Sequence, residues 1–406
     1  MIFFNMRRMM PRSTASSQKA DAACARGPMC RIARVSVGEI LFISKPIAPP
    51  WNDSGKNLVH DLARSLTRHR AVVMTRKGTE LRYPNASLDY VYPVDAGGFA
   101  PGLINNARVL ARLMTGARKD LWHFFFAPNL RSSQMGRFAK KARGMRTVHT
   151  IASAPKADAR INDVFFADVN VVLSKHTEDR LLQGGLAADR MVRIAPAVSP
   201  LEIPTEQARA ETRVRFDLPS GAPVIVYPGD LEFGGGAQLM IEAFARLHNR
   251  DAHLVMACRA KTQGASAAAQ DLLTRARTLG VDARVRWPGE TREIHALLGA
   301  ADVVALPARD LYAKMDYPLV LLEAMCMGRA VVVADETPAQ ELASAGGAVS
   351  VDARNEGALT AKLNELIDDS AQRAQIGAIG RQNVLTKYSP DTMAAAYERV
   401  YDALLV

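Results

Sequence analysis

Residues 314–331, KMDYPLVLLEAMCMGRAV, combine four charged side chains with an apolar helical stretch. Lys314 and Asp316 stand just before Pro318, and proline is favoured in the first turn of a helix. The N-terminal pole of a helix attracts anionic ligands. Glu323 lies inside the apolar stretch, where a carboxylate needs a partner such as a pair of ligand hydroxyls. The pattern predicts a site for an anionic, hydroxyl-bearing ligand; a surface loop before an ordinary core helix is the alternative.

Short aliphatic runs alternate with helical stretches along the chain, which is typical of parallel α/β units. Ligands of such folds bind at the carboxyl ends of the strands, so a cleft between two sheets is the expected site. The runs predicted as strands are RIARVSVGEILFIS, AVVMTRK, RTVHTIAS, DVNVVLS and MVRIAP in the first half and VIVYPG, HLVMAC, RVRWPG, DVVALPA and AVVVAD in the second.

The chain has 406 residues, too many for one ordinary hydrophobic core. A Pro-rich and acidic segment near 197–220 separates the two series of strands. We therefore predict an α/β protein with two doubly wound, Rossmann-like domains facing a cleft, at 31–200 and 201–406. Residues 1–30 are predicted to be a disordered extension.

Positive charge is concentrated in the first half of the chain. Residues 31–200 carry 26 basic and 13 acidic residues, whereas 201–406 carry 21 and 27. The densest basic segment, 130–146, would attract phosphate on a lipid, a nucleic acid or a substrate. A solvated helix face is the alternative interpretation of this segment.

Cysteine spacing and hydropathy indicate the compartment. The four cysteines match neither a zinc site nor a disulfide framework, and the first thirty residues lack the apolar stretch of a secretory signal. No apolar run approaches the roughly 18 residues that span a bilayer. These features predict a cytoplasmic protein, with binding to the inner membrane surface left open.

The second half resembles the nucleotide-binding domain of family 4 retaining glycosyltransferases, which have the two-domain GT-B architecture. The pieces that carry the resemblance are VIVYPGDLEFGGGAQLMIEAFARL, HLVMACR, VRWPGETREIHALLGAADVVALPA, YPLVLLEAMCMGRAVVVAD and ELASAGGAVSVDA. The resemblance implies a nucleotide-sugar substrate, no separate cofactor, and a glycan or lipid-linked acceptor. It also implies a C-terminal helix that returns to the N-terminal domain.

The resemblance assigns roles to several residues in the second half. Glu323 matches the second glutamate of the E-x7-E signature, which in the family binds the ribose hydroxyls of the donor. Met315 takes the place of the first glutamate, and Asp316 is the candidate to replace it at the donor sugar as a catalytic residue. Gly229, which ends a predicted strand, and Leu322, beside the signature glutamate, complete this part of the predicted donor site.

The chain departs from the family at the cations that clamp the donor pyrophosphate. The family usually has an arginine and a lysine where this sequence has Asp230 and Gly235. Charged hydrogen bonds contribute about 1.5–3 kcal/mol each, so the loss needs compensation. The candidates are Lys314, Arg259, Lys261 and the backbone N–H groups of Gly234, Gly235 and Gly236, although the three glycines also suit a flexible turn.

The first half contributes three further candidates by resemblance. Gly55 matches the loop glycine whose backbone approaches the donor phosphates, and Lys56 beside it would supply a cation. His149 stands where the family has a histidine near the reacting sugar, although a histidine at a strand end is otherwise most often structural. His60 and His123 are interpreted as packing residues.

Several alternatives remain at this point. A non-catalytic relative on the same scaffold, acting as a binding or partner protein, fits the lost charges. A dehydrogenase lacks its G-x-G-x-x-G motif here. Nucleic-acid binding is disfavoured because aromatic residues make up only 6% of the chain and no binding module is recognisable. No D-x-D motif suggests a metal ligand set, so the prediction includes no metal.

Overall fold

The computed structural model describes residues 37–96, 101–153, 155, 160–260, 262, 264–311 and 314–406. The predicted extension, 1–30, lies outside them, with Cys24 and Cys30. The described residues form thirteen strands: β1 (Glu39–Ile43), β2 (Arg70–Arg76), β3 (Ala86–Tyr92), β4 (Leu121–Phe125), β5 (Arg146–Ile151), β6 (Val169–Val172), β7 (Met191–Arg193), β8 (Val224–Tyr227), β9 (His253–Met256), β10 (Val285–Arg286), β11 (Val303–Leu306), β12 (Ala330–Ala334) and β13 (Val349–Val351).

Helices connect these strands. They are α1 (Ser54–Ser65), α2 (Leu103–Thr115), α3 (Leu130–Arg143), α4 (Ile161–Val164), α5 (Lys175–Gln183), α6 (Glu206–Arg215), α7 (Gly236–Ala245), α8 (Ala265–Thr278), α9 (Ile294–Ala300), α10 (Leu319–Cys326), α11 (Gln340–Ser344), α12 (Glu356–Asp368), α13 (Ser370–Lys387) and α14 (Pro390–Leu405). None of those in the described ranges is both long enough and apolar enough to cross a bilayer.

The first sheet contains seven parallel strands in the order β3-β2-β1-β4-β5-β6-β7. Leu41 in β1 is level with Val72 in β2 on one side and with Trp122 in β4 on the other. The strand order reverses between β1 and β4. In doubly wound sheets such a reversal opens a crevice at the carboxyl ends of the strands.

The second sheet contains six parallel strands in the order β10-β9-β8-β11-β12-β13, and it reverses between β8 and β11. All residues of β8 (VIVY) and β12 (AVVVA) are buried, because helices cover both faces of a parallel sheet. The predicted fold class, with two doubly wound domains, is confirmed. Strands β3, β4 and β13 were not predicted.

Helix α10 begins after Pro318 and ends at Cys326. Gly328 adopts a left-handed backbone conformation (φ +71°) just beyond this end, where glycine avoids the strain that a Cβ would cause. Cys326 and Cys258 are both buried free thiols.

The last helix, α14, returns to the first sheet, as predicted. Ser389 caps its start, and Pro390 occupies the first turn. Near its end, Tyr397 bonds Thr150 at 2.9 Å and Tyr401 bonds His123 at 2.7 Å. These contacts place His123 in a buried packing role.

Candidate active site

A cavity of about 1010 Å³ lies where both sheets reverse their strand order. Its lining comes from the segments that follow β1, β4, β8 and β11, which are the carboxyl ends of the central strands. Of the residues predicted to bind the donor, the cavity is lined by Gly55, Gly229, Arg259, Lys314 and Glu323. The structure thus brings together five predicted residues from both halves of the chain.

Glu323 lies on the cavity wall, on helix α10. Its side chain is 16% exposed, and His295 at the start of α9 forms an ion pair with it at 3.3 Å, from Nε2 to Oε1. The hydrogen bond to Glu323 raises the pKa of His295, although burial opposes the shift. The second carboxylate oxygen is therefore the one better placed to accept ligand hydroxyls. Sequence reasoning missed His295, because this residue lies on α9, and strand β11 separates α9 from the signature helix α10.

Lys314 reaches the cavity beside Asp230, with 3.0 Å between Nζ and Oδ2. Asp230 is buried (1% exposed), at a position where the family usually has arginine. The pair therefore reverses the expected polarity: the anion lies on the loop after β8 and the cation precedes α10. A Cβ on Gly229 would lie 2.0 Å from the Tyr227 ring, so only glycine fits at that position.

Gly55, at the start of α1, faces Lys45, which lies in the loop between β1 and α1. A Cβ at Gly55 would lie 3.7 Å from Lys45 Cε and 3.2 Å from Asp53 Oδ1. Asp53 caps α1 by accepting from Lys56 N at 3.1 Å, and its Oδ2 pairs with Lys45 Nζ at 2.6 Å. Burial would raise the pKa of Asp53, but Lys45 and the helix N–H outweigh it and lower it. Sequence reasoning missed Lys45, although a cation directly after β1 was a usable signal.

Lys56 and Leu322 do not line the main cavity. The Lys56 ammonium donates to the carbonyls of Ala48 (2.9 Å) and Pro50 (2.6 Å) and faces a smaller neighbouring cavity. Leu322 is fully buried in the core beside the cavity-lining Glu323. Contacts of these two residues with the donor stay predictions.

His149, predicted to act near the reacting sugar, lies behind the cavity wall. Its Nε2 bonds the carbonyl of Phe126 at 2.9 Å, and its ring packs 4.3 Å from the Phe126 ring. Burial lowers the pKa of His149 to about 4, so the imidazole is neutral at pH 7. Phe126 lines the cavity. His149 therefore supports the cavity wall from behind, through its contacts with Phe126 and Phe124.

Asp316, the other predicted catalytic residue, connects the two halves of the chain. Its backbone N–H donates to Ala152 O at 3.3 Å, and its Oδ2 accepts from Ser174 Oγ at 2.6 Å. Burial raises the pKa of Asp316 to about 6, against the effect of the Ser174 hydroxyl. The carboxylate is directed to the first half rather than into the cavity, and Met315 lines the cavity beside it.

The three glycines of the GGG segment precede α7. Gly234 and Gly235 have left-handed backbone conformations, and a Cβ on Gly234 would lie 2.5 Å from Asp310 O. Gly235 caps the helix, and the Arg309 guanidinium lies about 3.5 Å from where its Cβ would be. A cation is thus adjacent to the position where the family has lysine. Lys261 lies outside the described residues.

The basic segment predicted to attract phosphate forms α3, and three of its cations are engaged within the first half. Lys140 pairs with Asp168 at 2.5 Å, Arg143 donates to the carbonyls of Met114 and Gly116, and Arg137 donates to the carbonyl of Asn162. Lys141 is exposed. Of the three engaged cations, Lys140 is the one whose charge is balanced by a carboxylate.

Comparison with known proteins identifies relatives of the second half most clearly. Residues 208–383 match the family model described as glycosyl transferases group 1. A D-inositol 3-phosphate glycosyltransferase of Corynebacterium aurimucosum is 26% identical over 287 residues, which cover 64% of this chain and 66% of the relative. A GDP-mannose-dependent alpha-(1-6)-phosphatidylinositol monomannoside mannosyltransferase of Mycolicibacterium smegmatis is 28% identical, covering 56% of this chain and 60% of the relative. The chain thus matches just under two thirds of the length of such curated relatives.

Solved structures share the fold over nearly the whole chain. Anabaena Alr3699/HepE, solved in complex with UDP and glucose, superposes with a TM-score of 0.73 at 17% identity, covering 90% of this chain and all of that one. A glycosyltransferase from Rickettsia africae superposes with a TM-score of 0.72 at 17% identity, over 91% of this chain and 99% of that one. At these identities the likeness concerns the fold.

Proposed function

We propose that this chain transfers a sugar from a nucleotide-sugar donor to a hydroxyl group of an acceptor, since residues 208–383 match the family model described as glycosyl transferases group 1. The observation that carries the proposal is the position of Glu323 on the cavity wall, paired with His295 and facing the Gly55 loop of the other half. A carboxylate there accepts hydrogen bonds from two neighbouring ribose hydroxyls. HepE binds UDP and glucose on the same fold, which supports a nucleotide ligand here.

The charges of the cavity suit the donor diphosphate. Lys314 and Arg259 line it from the second half, and Lys45 lines it from the first. These cations take over the role of the arginine and lysine that stand in most of the family. Asp230 reduces the field of Lys314, so we expect weaker diphosphate binding than a pair of unopposed cations would give.

We propose that the reaction retains the configuration of the transferred sugar. In this mechanism the departing phosphate assists attack on the same face, and the protein supplies positioning and charge stabilisation. Asp316 fixes the segment before α10 against the first half through Ser174. His149 fixes Phe126 on the acceptor side of the cavity. Both predicted catalytic residues then act as positioning residues.

The acceptor side of the cavity is apolar. Its lining from the first half includes Val109, Leu110, Leu113, Phe124, Phe126 and Met135. Burying apolar surface contributes about 25 cal/mol per Å², so such a wall favours an acceptor with an apolar portion. We propose a lipid-linked glycan acceptor, in keeping with the phosphatidylinositol monomannoside named for the mannosyltransferase relative.

The first test is thermal unfolding with a panel of nucleoside diphosphates and sugar nucleotides. A ligand that binds only the folded protein raises the midpoint, by RT ln(1 + [L]/Kd) in free energy. We expect one nucleotide to raise the midpoint of the wild type, and we expect Glu323→Ala to abolish this rise. Glu202→Ala, at an exposed position, is the matched control and keeps the rise.

The outcome separates an enzyme from a binding protein. No rise with any nucleotide would contradict the proposal and favour a diverged relative that acts as a binding or partner protein. A rise without turnover of the corresponding sugar nucleotide would favour the same alternative. The loss of the first signature glutamate to Met315 and the buried position of Asp316 are the observations that make this alternative specific.

A further inference from the structure

A second cavity, of about 310 Å³, adjoins the main one. The two share six lining residues: Lys45, Pro50, Asn52, Asp53, Arg259 and Glu290. We propose that this smaller cavity is a separate anion site that binds a phosphate-sized group in addition to the donor. The proposal concerns binding alone and does not depend on transferase activity.

The ionisable groups around this cavity have an excess of positive charge. Among the described residues that line it, four are cationic and two are acidic. The cations are Lys45, Lys56, Arg76 and Arg259, and the acids are Asp53 and Glu290. An excess of two positive charges in a concave, partly buried space raises the local concentration of anions.

Most of these cations are oriented by neutral groups. Lys56 donates to the carbonyls of Ala48 and Pro50. Arg76 donates to Pro49 O at 3.1 Å, and Arg259 donates to Asn52 O. Carbonyl groups hold a cation in place without cancelling its charge. Such preorganised cations lose little freedom when an anion binds, and arginine forms paired hydrogen bonds with phosphate.

The like charges also act on one another. The pKa of Lys56 is lowered mainly by burial and further by Lys45 and Arg76, against the opposing effect of Asp53. An anion placed among these groups would reduce the repulsion and favour the charged form of Lys56. This effect makes anion binding more favourable than at an isolated surface lysine.

The cavity lies at the edge of the sheet where ligands of doubly wound folds bind. Lys45 follows β1, and Arg76 is the last residue of the neighbouring parallel strand β2. Arg259 follows β9 in the second half of the chain. An anion here would contact both halves, because its ligands come from the carboxyl ends of strands in both sheets.

Isothermal titration of the full-length protein with inorganic phosphate, at constant ionic strength set with chloride, tests the site. We expect Arg76→Gln to raise the Kd for phosphate about tenfold or more, as the loss of one charge-assisted hydrogen bond does. Arg76→Lys keeps the charge and should retain most of the affinity. The matched control is Arg70→Gln, at the exposed opposite end of β2, which should bind as the wild type does.

Two further arms distinguish this site from the donor site. Phosphate should still bind when the protein is saturated with UDP, with a raised Kd because Lys45 and Arg259 line both cavities, and it should bind with the wild-type Kd in Glu323→Ala. Complete displacement of phosphate by UDP would overturn the proposal of a separate site. Wild-type phosphate affinity in Arg76→Gln, or no phosphate binding by the wild type, would overturn the proposal itself. If UDP does not bind, the proposed function fails, and the Arg76 series still decides this inference.

Discussion

At the scale of single residues, the ion pair between Glu323 and His295 is expected to make the stability of the candidate site sensitive to pH. The hydrogen bond raises the pKa of His295 above its ordinary value of 6.5. The pair therefore stabilises the fold fully below pH 6.5, and this contribution is lost as the pH rises through the raised pKa. His295→Gln should remove this loss of stability at high pH. The imidazole is 52% exposed, so the effect on the free energy of unfolding is at most about 1 kcal/mol.

Urea unfolding at pH 6 and pH 8.5 measures this difference. The matched control is His176→Gln, at an exposed histidine in the first turn of α5, which should keep the wild-type pH dependence. An unchanged difference between the two pH values in His295→Gln would contradict the assignment.

The two simplest substitutions in the Asp230–Lys314 pair are expected to change the affinity for a nucleoside diphosphate in opposite directions. Lys314→Met leaves the buried Asp230 without this ion pair and should lower the free energy of unfolding by about 3 kcal/mol. It should also weaken binding of a nucleoside diphosphate. Asp230→Asn removes an anion from the cavity wall and should tighten that binding. Titration calorimetry with the nucleotide that raises the unfolding midpoint most checks both; a shift in the same direction for both would contradict the charge argument.

The residues of the site differ in how well the sequence predicted them. Local patterns surround Glu323, Lys314 and Gly229. Each pattern is a helix start or a strand end, and it predicts by itself where the residue lies in the fold. His295 enters the site through the packing of a separate helix, which no local pattern records, whereas Lys45 follows β1 closely and could have been found from the sequence. His149 and Asp316 have the expected sequence positions, but buried hydrogen bonds direct their side chains away from the cavity.

At the scale of elements, the end of α14 fastens the turn between α1 and β2. Glu398 accepts from the backbone N–H groups of Thr67 at 2.8 Å and Arg68 at 2.6 Å. Burial would raise the pKa of Glu398, but these N–H groups outweigh it and lower it. Its contribution is present above pH 4.5 and is lost as the pH falls through the lowered pKa.

Glu398→Ala should therefore lower the free energy of unfolding by about 2 kcal/mol at pH 7, because these partly buried N–H groups lose a charged acceptor. The matched control, Arg399→Gln, changes the next residue of the same helix, which is exposed. Chemical denaturation at pH 7 compares the two. Equal stability of Glu398→Ala and the control would contradict the role of this carboxylate.

Helix α3 presents a mixed apolar and basic face to solvent. Leu130 is 51% exposed and Phe138 60% exposed, and Arg131 and Lys141 are exposed on the same helix. Such a face suits the surface of an anionic membrane. We expect the double variant Phe138→Ser and Lys141→Glu to reduce sedimentation with vesicles that contain anionic lipid. These positions avoid Lys140 and Arg143, whose replacement would also disturb packing.

Neutral vesicles provide the control for this measurement, and the wild type should sediment less with them. Unchanged sedimentation of the double variant with anionic vesicles would show that another surface, or none, binds the membrane.

At the scale of the whole molecule, the fold was predictable because each central strand is buried on both faces and therefore reads as an uninterrupted apolar run. The strands that escaped prediction have other patterns. β3 (ASLDYVY) lies at the edge of its sheet and carries polar residues in alternation. β13 has three residues and also lies at an edge. β4 (LWHFF) contains the polar residue His123. Its two ring nitrogens bond Tyr401 and Thr150, which lie elsewhere in the sequence.

The return of α14 to the first sheet has a consequence for synthesis on the ribosome. His123 can bond Tyr401, and the turn after α1 can bond Glu398, only after α14 has emerged from the ribosome. At about 5–20 residues per second, the interval between completion of β7 and emergence of α14 is about 10–40 s. Throughout that interval the nascent first half leaves the docking surface of α14 uncovered. This surface is where we expect a ribosome-associated chaperone to bind the unfinished chain.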